Sequence, residues 1–298
     1  MLRPKGFSLI ELTVVLALVG TIGSTIGLLL MRQQRFYRGT SELIATRQSV
    51  RDAIEVLATD IRGMSVADTA ALLADSAMEF FATIGTSVVC DSLGAGQVGL
   101  APGALTSLAT QPDTGDLALF YTDTGPPESR WQRYRITAFS TRTVSTTCAP
   151  ASGFARESDV TSKATAFFLA VGAPLRGRVH AGSPVRVLRR GRYSRYRAAD
   201  GFWYFGYRRC NAIGASKCGT IQPVSGPYRP YSRDGTQSGI TFEYFDGAGA
   251  RVALRPLSLA RVDVSARAAS RQRLLIEGRG WIPADSARVT VAVRNRLE

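Results

Sequence analysis

An unbroken apolar run near the N-terminus constrains this chain more than any other feature. Between Phe7 and Met31 the only charged residue is Glu11, and charge resumes at Arg32. About 20 apolar or small residues, at a rise of ~1.5 Å per residue, cross a hydrocarbon core of about 30 Å as a helix. The run therefore predicts a membrane-spanning helix at residues 7–31.

Two ordinary kinds of apolar segment compete with this interpretation. A secretory signal peptide fits poorly, because its apolar region is usually about 7–15 residues long and this run is longer and contains an acid. A plain signal anchor is not excluded by hydropathy. Its orientation is also undecided, because positive charge lies on both sides of the run, at Arg3, Lys5, Arg32, Arg35 and Arg38.

Glu11 decides between the alternatives. A carboxylate inside an apolar helix costs a few kcal/mol and is normally retained because it has a partner. No Lys or Arg lies within the apolar run, so the counter-charge must come from elsewhere. Cleavage after Gly6 would create one, because it exposes a new α-ammonium group on Phe7.

Residues 5–12 read Lys-Gly-Phe-Ser-Leu-Ile-Glu-Leu. This segment resembles the class III signal of type IV pilins and type II secretion pseudopilins. The resemblance implies cleavage after Gly6 by a prepilin peptidase, N-methylation of Phe7, and pairing of the Phe7 amine with Glu11 of a neighbouring subunit during filament assembly.

The same resemblance implies partners and a location. The expected partners are the prepilin peptidase, other minor and major pilins or pseudopilins, and the inner-membrane assembly platform. The chain is expected in the inner (cytoplasmic) membrane, single-pass with an extracytoplasmic head, and later in a filament in the periplasm or on the cell surface. No cofactor and no metal are expected.

From Arg32 onwards the pattern stays helical but becomes amphipathic. Apolar residues recur every seventh position, at Phe36, Leu43, Val50, Leu57 and Met64, with Ile54 and Ile61 between them. Together with the resemblance, which implies the cleaved leader, the filament core and the location of the head, the pattern predicts four segments: a cleaved leader (1–6), a transmembrane helix and filament core (7–31), an amphipathic helix (32–64), and a β-rich extracytoplasmic head (65–298). The fold class is therefore α+β and pilin-like, with a long helix packed on an antiparallel head; a free coiled coil is the alternative.

Strand patterns dominate the head beyond a poorly patterned stretch. Residues 65 to about 110 predict loops with one short strand or helix. Strands are predicted at residues 117–122, 130–138, 185–189, 193–197, 202–209, 240–245, 251–254, 259–266 and 288–294. The segments 239–246, 260–264 and 288–295 resemble, in order, head strands of J-type minor pseudopilins and W-type minor pilins.

Four cysteines, Cys90, Cys148, Cys210 and Cys218, lie beyond the apolar run. An even number in that place fits disulfides in an oxidising compartment. Cys210 and Cys218 enclose a short loop, which favours a local bond between them and leaves Cys90 with Cys148. Free buried thiols are the alternative, and a zinc site would need very unequal spacings.

The chain is strongly basic, with a formal net charge of +14. Arginines alternate with aromatic residues over 186–209, a pattern that can bind single-stranded nucleic acid and that also makes an ordinary amphipathic hairpin. We favour the hairpin. A minor pilin whose basic head binds DNA or surfaces is the alternative function.

No catalytic site is predicted. A hydrolase triad is not expected, because His180 is the single histidine and the sequence contains no GxSxG nucleophile motif. Nucleotide hydrolysis is not expected either, because there is no Gly-rich phosphate loop with Lys followed by Ser or Thr. The expectation is a minor pilin or pseudopilin that primes a type IV pilus-like or type II secretion filament near its tip, and not an enzyme.

Overall fold

A computed structural model of the chain describes residues 8–64, 72–122, 130–144, 147–176, 179–210, 218–232, 237–252, 258–276 and 279–293. The helices are α1 (Leu9–Gly63) and α2 (Glu157–Thr161). Short 3-10 turns lie at Gly103–Leu105 and Pro150–Ser152.

The strands follow in chain order. They are β1 (Leu72–Ala74), β2 (Ala77–Gly94), β3 (Gln97–Leu100), β4 (Ser107–Leu108), β5 (Leu117–Thr122), β6 (Arg130–Thr143), β7 (Thr165–Val171), β8 (Pro184–Arg197), β9 (Trp203–Arg209), β10 (Gln222–Tyr228), β11 (Ile240–Phe245), β12 (Arg261–Ala269), β13 (Leu274–Ile276), β14 (Arg279–Trp281) and β15 (Ala284–Ala292).

The first architectural feature is one continuous helix, α1, of 55 residues. At ~1.5 Å per residue it is about 80 Å long. No proline occurs in it, and its sequence changes from apolar to amphipathic without an interruption. The predicted α+β class with a long N-terminal helix and an antiparallel sheet is confirmed.

Six strands of the head close into a ring. β2 pairs with β3, β3 with β7, β7 with β6, β6 with β5 and β5 with β8, and β8 returns to β2; every pair is antiparallel. Buried side chains from all six strands pack together, among them Val89, Leu100, Phe120, Ile136, Leu169 and Val187. This is the packing of a small barrel, whose closure removes exposed strand edges.

The rest of the sheet forms a platform for the helix. β9, β10, β12 and β11 extend the sheet from β8, and β15 also pairs with β12. Along β11 the burial alternates, with Ile240, Phe242 and Tyr244 facing inward. The apolar stripe of the helix packs on the sheet from Val50 onwards, as predicted. This part of the helix is therefore not a free coiled coil.

The stripe is buried over only part of its length. Val50, Leu57, Ile61 and Met64 are buried in the core shared with the sheet, and Ile54 packs at its margin. Leu43 is half-buried and Phe36 is exposed. The helix therefore joins the head at about Thr46 and projects from it on the N-terminal side.

Replacing Leu57 with alanine is expected to destabilise the head. Leu57 is fully buried between α1 and the sheet, so Leu57→Ala leaves a cavity and should lower the free energy of unfolding by about 3 kcal/mol. Val56→Ala is the matched control, because Val56 is 36% exposed, and it should cost less than about 1 kcal/mol. Urea unfolding of both variants measures the difference, and equal losses would contradict the packing.

The loop prediction for residues 65–110 is wrong. The region contains β1, β3, β4 and the 18-residue strand β2. The alternation that reveals a half-buried strand is missing in β2, because Phe80 packs in the helix core while its neighbour Phe81 packs in a separate cluster on the other face. A strand buried on both faces has no period of two.

The two strands predicted at 185–189 and 193–197 are one strand, β8. Gly191 is not a turn: it is paired with Phe80 within the ladder. A Cβ at Gly191 would meet the ring of Tyr207, so glycine is required there for close approach. The strand predicted at 251–254 is reduced to one bridge between Arg251 and Phe245, and residues 253–257 lie outside the described part of the chain.

Candidate functional site

The N-terminal part of α1 is not covered by any other described part of the chain. Its large apolar side chains are all exposed, including Leu9, Ile10, Leu16, Val19, Ile22 and Leu30. The helix is long and apolar enough in this part to cross a membrane. Exposed apolar surface on this scale requires either lipid or other helices around it.

Glu11 lies in the first turn of this apolar segment. The backbone N–H of Ser8 points to its Oε2 at 3.5 Å, which is at the limit for a hydrogen bond. Within the described residues this is the one hydrogen bond of the Glu11 carboxylate, and the residue is exposed. The carboxylate is therefore accessible to a partner outside the chain. Gly6 and Phe7, the predicted cleavage and methylation residues, lie outside the described residues.

Polar groups further along the apolar segment are satisfied within the helix. The hydroxyls of Thr21, Ser24 and Thr25 donate hydrogen bonds of 2.8–2.9 Å to backbone carbonyls three or four residues earlier. A Cβ at Gly20 or Gly23 would meet no atom within 4 Å. The segment therefore presents a surface of small residues without unpaired hydroxyls, and such a surface lets helices approach closely in lipid.

Two polar contacts that the sequence pattern does not reveal attach the helix to the head. Tyr193 donates to Asp60 Oδ2 at 2.6 Å, and Tyr228 donates to the Ser49 carbonyl at 2.5 Å. Burial raises the pKa of Asp60, and the bond from Tyr193 opposes that rise. Burial and the neighbouring Asp60 carboxylate raise the pKa of Tyr193. The only sign of these contacts in the sequence is that Ser49 and Asp60 directly precede the apolar positions Val50 and Ile61 of the helix.

Both disulfides connect elements of the head. Cys90 in β2 is bonded to Cys148, with a Cα–Cα distance of 5.1 Å, and Cys210 after β9 is bonded to Cys218. The structure therefore has the pairing that the short loop favours, and not free thiols. Two such bonds fit folding in an oxidising compartment.

One cluster among the described residues brings metal-ligating residue types together: Glu79, Cys210 and Cys218. The two sulfurs are bonded to each other, and the Glu79 carboxylate accepts from Arg190 and Arg192. The cluster therefore offers no free thiolate. His180 donates its backbone N–H to Ser183 Oγ at 3.2 Å, in a turn before β8.

The basic and aromatic stretch 186–209 forms the hairpin of β8 and β9. Tyr193 and Phe205 are buried in the helix core, with stacked rings 5.4 Å apart. Arg189 binds the buried Asp116, and Arg209 reaches both Asp116 and Asp113. These side chains have internal partners, as an amphipathic hairpin requires; nucleic-acid binding stays a prediction.

Comparison with known proteins identifies no relative. No protein-family model matches the chain, and neither a curated protein nor a solved structure does. The interpretation of the N-terminal segment therefore depends on the residues and contacts of this chain.

Proposed function

We propose that the chain is a minor pilin or pseudopilin. In this proposal it is cut after Gly6 by a prepilin peptidase, methylated at Phe7, and incorporated into a type IV pilus-like or type II secretion filament near its tip. One observation supports the proposal above all others: an apolar helical segment that the other described residues leave uncovered contains a single carboxylate, Glu11, and none of the described cationic side chains pairs with it.

Electrostatics supplies the mechanism. In hydrocarbon an unpaired Glu11 is costly, and processing creates a positive group, the amine of Phe7. In the proposal, Glu11 pairs with the Phe7 amine of an adjacent subunit. Two unit charges ~4 Å apart attract by about 4 kcal/mol at an effective dielectric near 20, and the desolvation of both groups offsets part of this. Pairing therefore favours one axial register between stacked helices.

The continuous helix supplies the mechanical connection. α1 runs from the apolar segment into the core of the head, where Leu57 and Ile61 are fully buried. A filament core made of such segments would therefore hold each head at a defined height. In this proposal the subunit lies beneath the tip, in contact with other minor subunits. The presence of Glu11 supports this position, because some tip-most members of the family lack the acid.

Processing tests the first step of the proposal. Gly6→Val should block removal of the leader, because a branched side chain at the cleaved bond obstructs the peptidase. The intact mass of the purified chain should then include residues 1–6, whereas the wild-type chain should begin at methylated Phe7.

Gly20→Val is the matched control. It is the same substitution on the same chain, at a position where a Cβ meets nothing within 4 Å, and it should be processed normally. A wild-type chain that begins at unmodified Met1, or a Gly6→Val chain that loses its leader, would overturn the proposal.

A further inference from the structure

A groove lies where α1 leaves the apolar segment and meets the β13–β14 hairpin. Its volume is about 570 Å³. The groove is lined by the apolar side chains of Phe36, Leu43, Leu274 and Trp281 and by the guanidinium groups of Arg35, Arg38 and Arg273. Neither strand of the hairpin pairs with the main sheet in the described part of the chain. The hairpin instead packs against the helix. Leu274 Cδ1 lies 3.3 Å from the point that a Cβ would occupy at Gly39.

The height of the groove relative to the apolar segment is set by helix geometry. Arg35 to Gly39 follow Met31 by four to eight residues, which is about 6–12 Å at ~1.5 Å per residue. The polar headgroup layer adds roughly 5–8 Å on each side of a ~30 Å hydrocarbon core. If residues 9–31 fill that core, the lower part of the groove lies within the headgroup layer.

The exposed side chains around the groove are those that favour this layer. Phe36 is 70% exposed, Trp281 43% and Ile282 50%. Aromatic residues concentrate at membrane interfaces, where an apolar ring lies next to polar headgroups. The exposed side chains of Trp281 and Ile282 therefore form an apolar surface at the hairpin, beside Phe36 of α1.

The charge of the groove is one-sided. Across the described residues, no ion pair joins Arg35, Arg38 or Arg273 to a carboxylate; the nearest acid on the helix, Glu42, accepts from Ser270. Three guanidinium groups around an apolar floor complement a ligand with a phosphate and an acyl chain. A zwitterionic headgroup offers less net attraction than an anionic one.

We infer that this groove binds the headgroup and upper acyl chain of an anionic phospholipid in the outer leaflet of the membrane. Arg35, Arg38 and Arg273 contact the phosphate, and the rings of Phe36 and Trp281 lie against the uppermost part of the chain. The contact fixes the orientation of the head above the membrane before the subunit enters a filament. The inference rests on the proposed function, because it requires that residues 9–31 cross a bilayer with the head on the outer side and that the subunit later enters a filament.

The experiment uses the full chain in lipid nanodiscs. Nanodiscs of phosphatidylcholine contain a trace of spin-labelled phosphatidylglycerol or spin-labelled phosphatidylcholine, and each label quenches nearby tryptophan fluorescence. The chain has three tryptophans, so the quenching due to Trp281 is measured as the difference between the wild-type chain and Trp281→Phe. We expect the phosphatidylglycerol label to associate more strongly, by roughly fivefold for each arginine in contact. The triple variant Arg35→Gln/Arg38→Gln/Arg273→Gln should reduce this ratio to about one.

The matched control is Arg47→Gln/Arg51→Gln/Arg62→Gln, which removes the same charge from exposed arginines of the same helix, farther from the membrane. It should keep the wild-type ratio. Equal association of the two labels with wild-type chain in nanodiscs would refute the lipid site and leave the membrane anchor intact. A chain that does not enter nanodiscs at all would refute both the site and the anchor. Trp281 quenching that is absent with both labels would show that the groove is not in contact with lipid and would refute the lipid site.

Discussion

Glu11→Ala is expected to be processed normally and to be nearly absent from filaments. The peptidase acts after Gly6, which lies five residues before Glu11, so cleavage should continue. Incorporation should fall by roughly tenfold or more, because losing even 1.4 kcal/mol of a net pairing energy changes an equilibrium tenfold. Sedimentation of sheared filaments, followed by quantification of the subunit, measures the effect in cells that contain only the variant copy.

Glu11→Gln distinguishes the two roles that Glu11 could have, which are charge pairing with an α-ammonium group and capping of the helix start. Glu11 is the third residue of α1, and its contact with the Ser8 N–H is the kind of contact that Gln can also make at a helix start. Gln cannot neutralise an α-ammonium group. We therefore expect Glu11→Gln to fail as Glu11→Ala does, and wild-type incorporation of Glu11→Gln would contradict the pairing mechanism.

A control for polarity is available in the same turn of helix. The Thr13 hydroxyl donates to the Ile10 carbonyl at 2.9 Å, so Thr13→Ala removes a polar group that is already satisfied inside the helix. This variant should incorporate as the wild-type chain does. A failure of Thr13→Ala would show that any change in this part of the segment disrupts assembly.

Glu79→Ala is expected to lower the free energy of unfolding by about 4 kcal/mol. Glu79 is fully buried in β2, where its two oxygens accept from Nε of Arg190 at 2.5 Å and Nε of Arg192 at 2.7 Å. Both arginines lie on β8, so the carboxylate joins the two strands that close the barrel. Removing it leaves two guanidinium groups side by side in a largely desolvated place.

Glu243→Ala is the matched control for that experiment. Glu243 also bridges two arginines, Arg251 and Arg288, but its side chain is 31% exposed and theirs are more exposed. An exposed arrangement of this kind contributes about 1 kcal/mol or less. Urea unfolding of the detergent-solubilised chain, followed by tryptophan fluorescence, compares the variants. Similar losses for Glu79→Ala and Glu243→Ala would contradict the role of the buried carboxylate.

Local sequence signals were sufficient for the parts of the fold that depend on neighbouring residues. The helix predicted at residues 7–64 is α1, Leu9–Gly63, and the strand predicted at 117–122 has the bounds of β5. The apolar run and Glu11 are readable without any tertiary contact. The pairing of Cys210 with Cys218 also follows from proximity along the chain.

The contacts that depend on distant parts of the chain were not readable. Gly191 has the sequence signature of a turn, but it pairs with Phe80 and with Arg209 inside the sheet, and the ring of Tyr207 takes the space of a Cβ there. Residues 77–94 lack alternation because both faces of β2 are buried. The hairpin that lines the groove near Arg35 comes from residues 274–281, and no periodicity relates those two segments.

The amino-acid sequence by itself determined that this chain has a long helix with an uncovered apolar end and one carboxylate in it. These properties follow from composition and from a period of 3.6 residues. The tertiary structure alone decided that β2 and β8 close a barrel, with Glu79 bridging the two strands, and that a basic groove forms beside the apolar segment. Strand pairing and side-chain convergence join residues more than a hundred positions apart, as for Glu79 and Arg190, and pairing over such a distance leaves no local pattern.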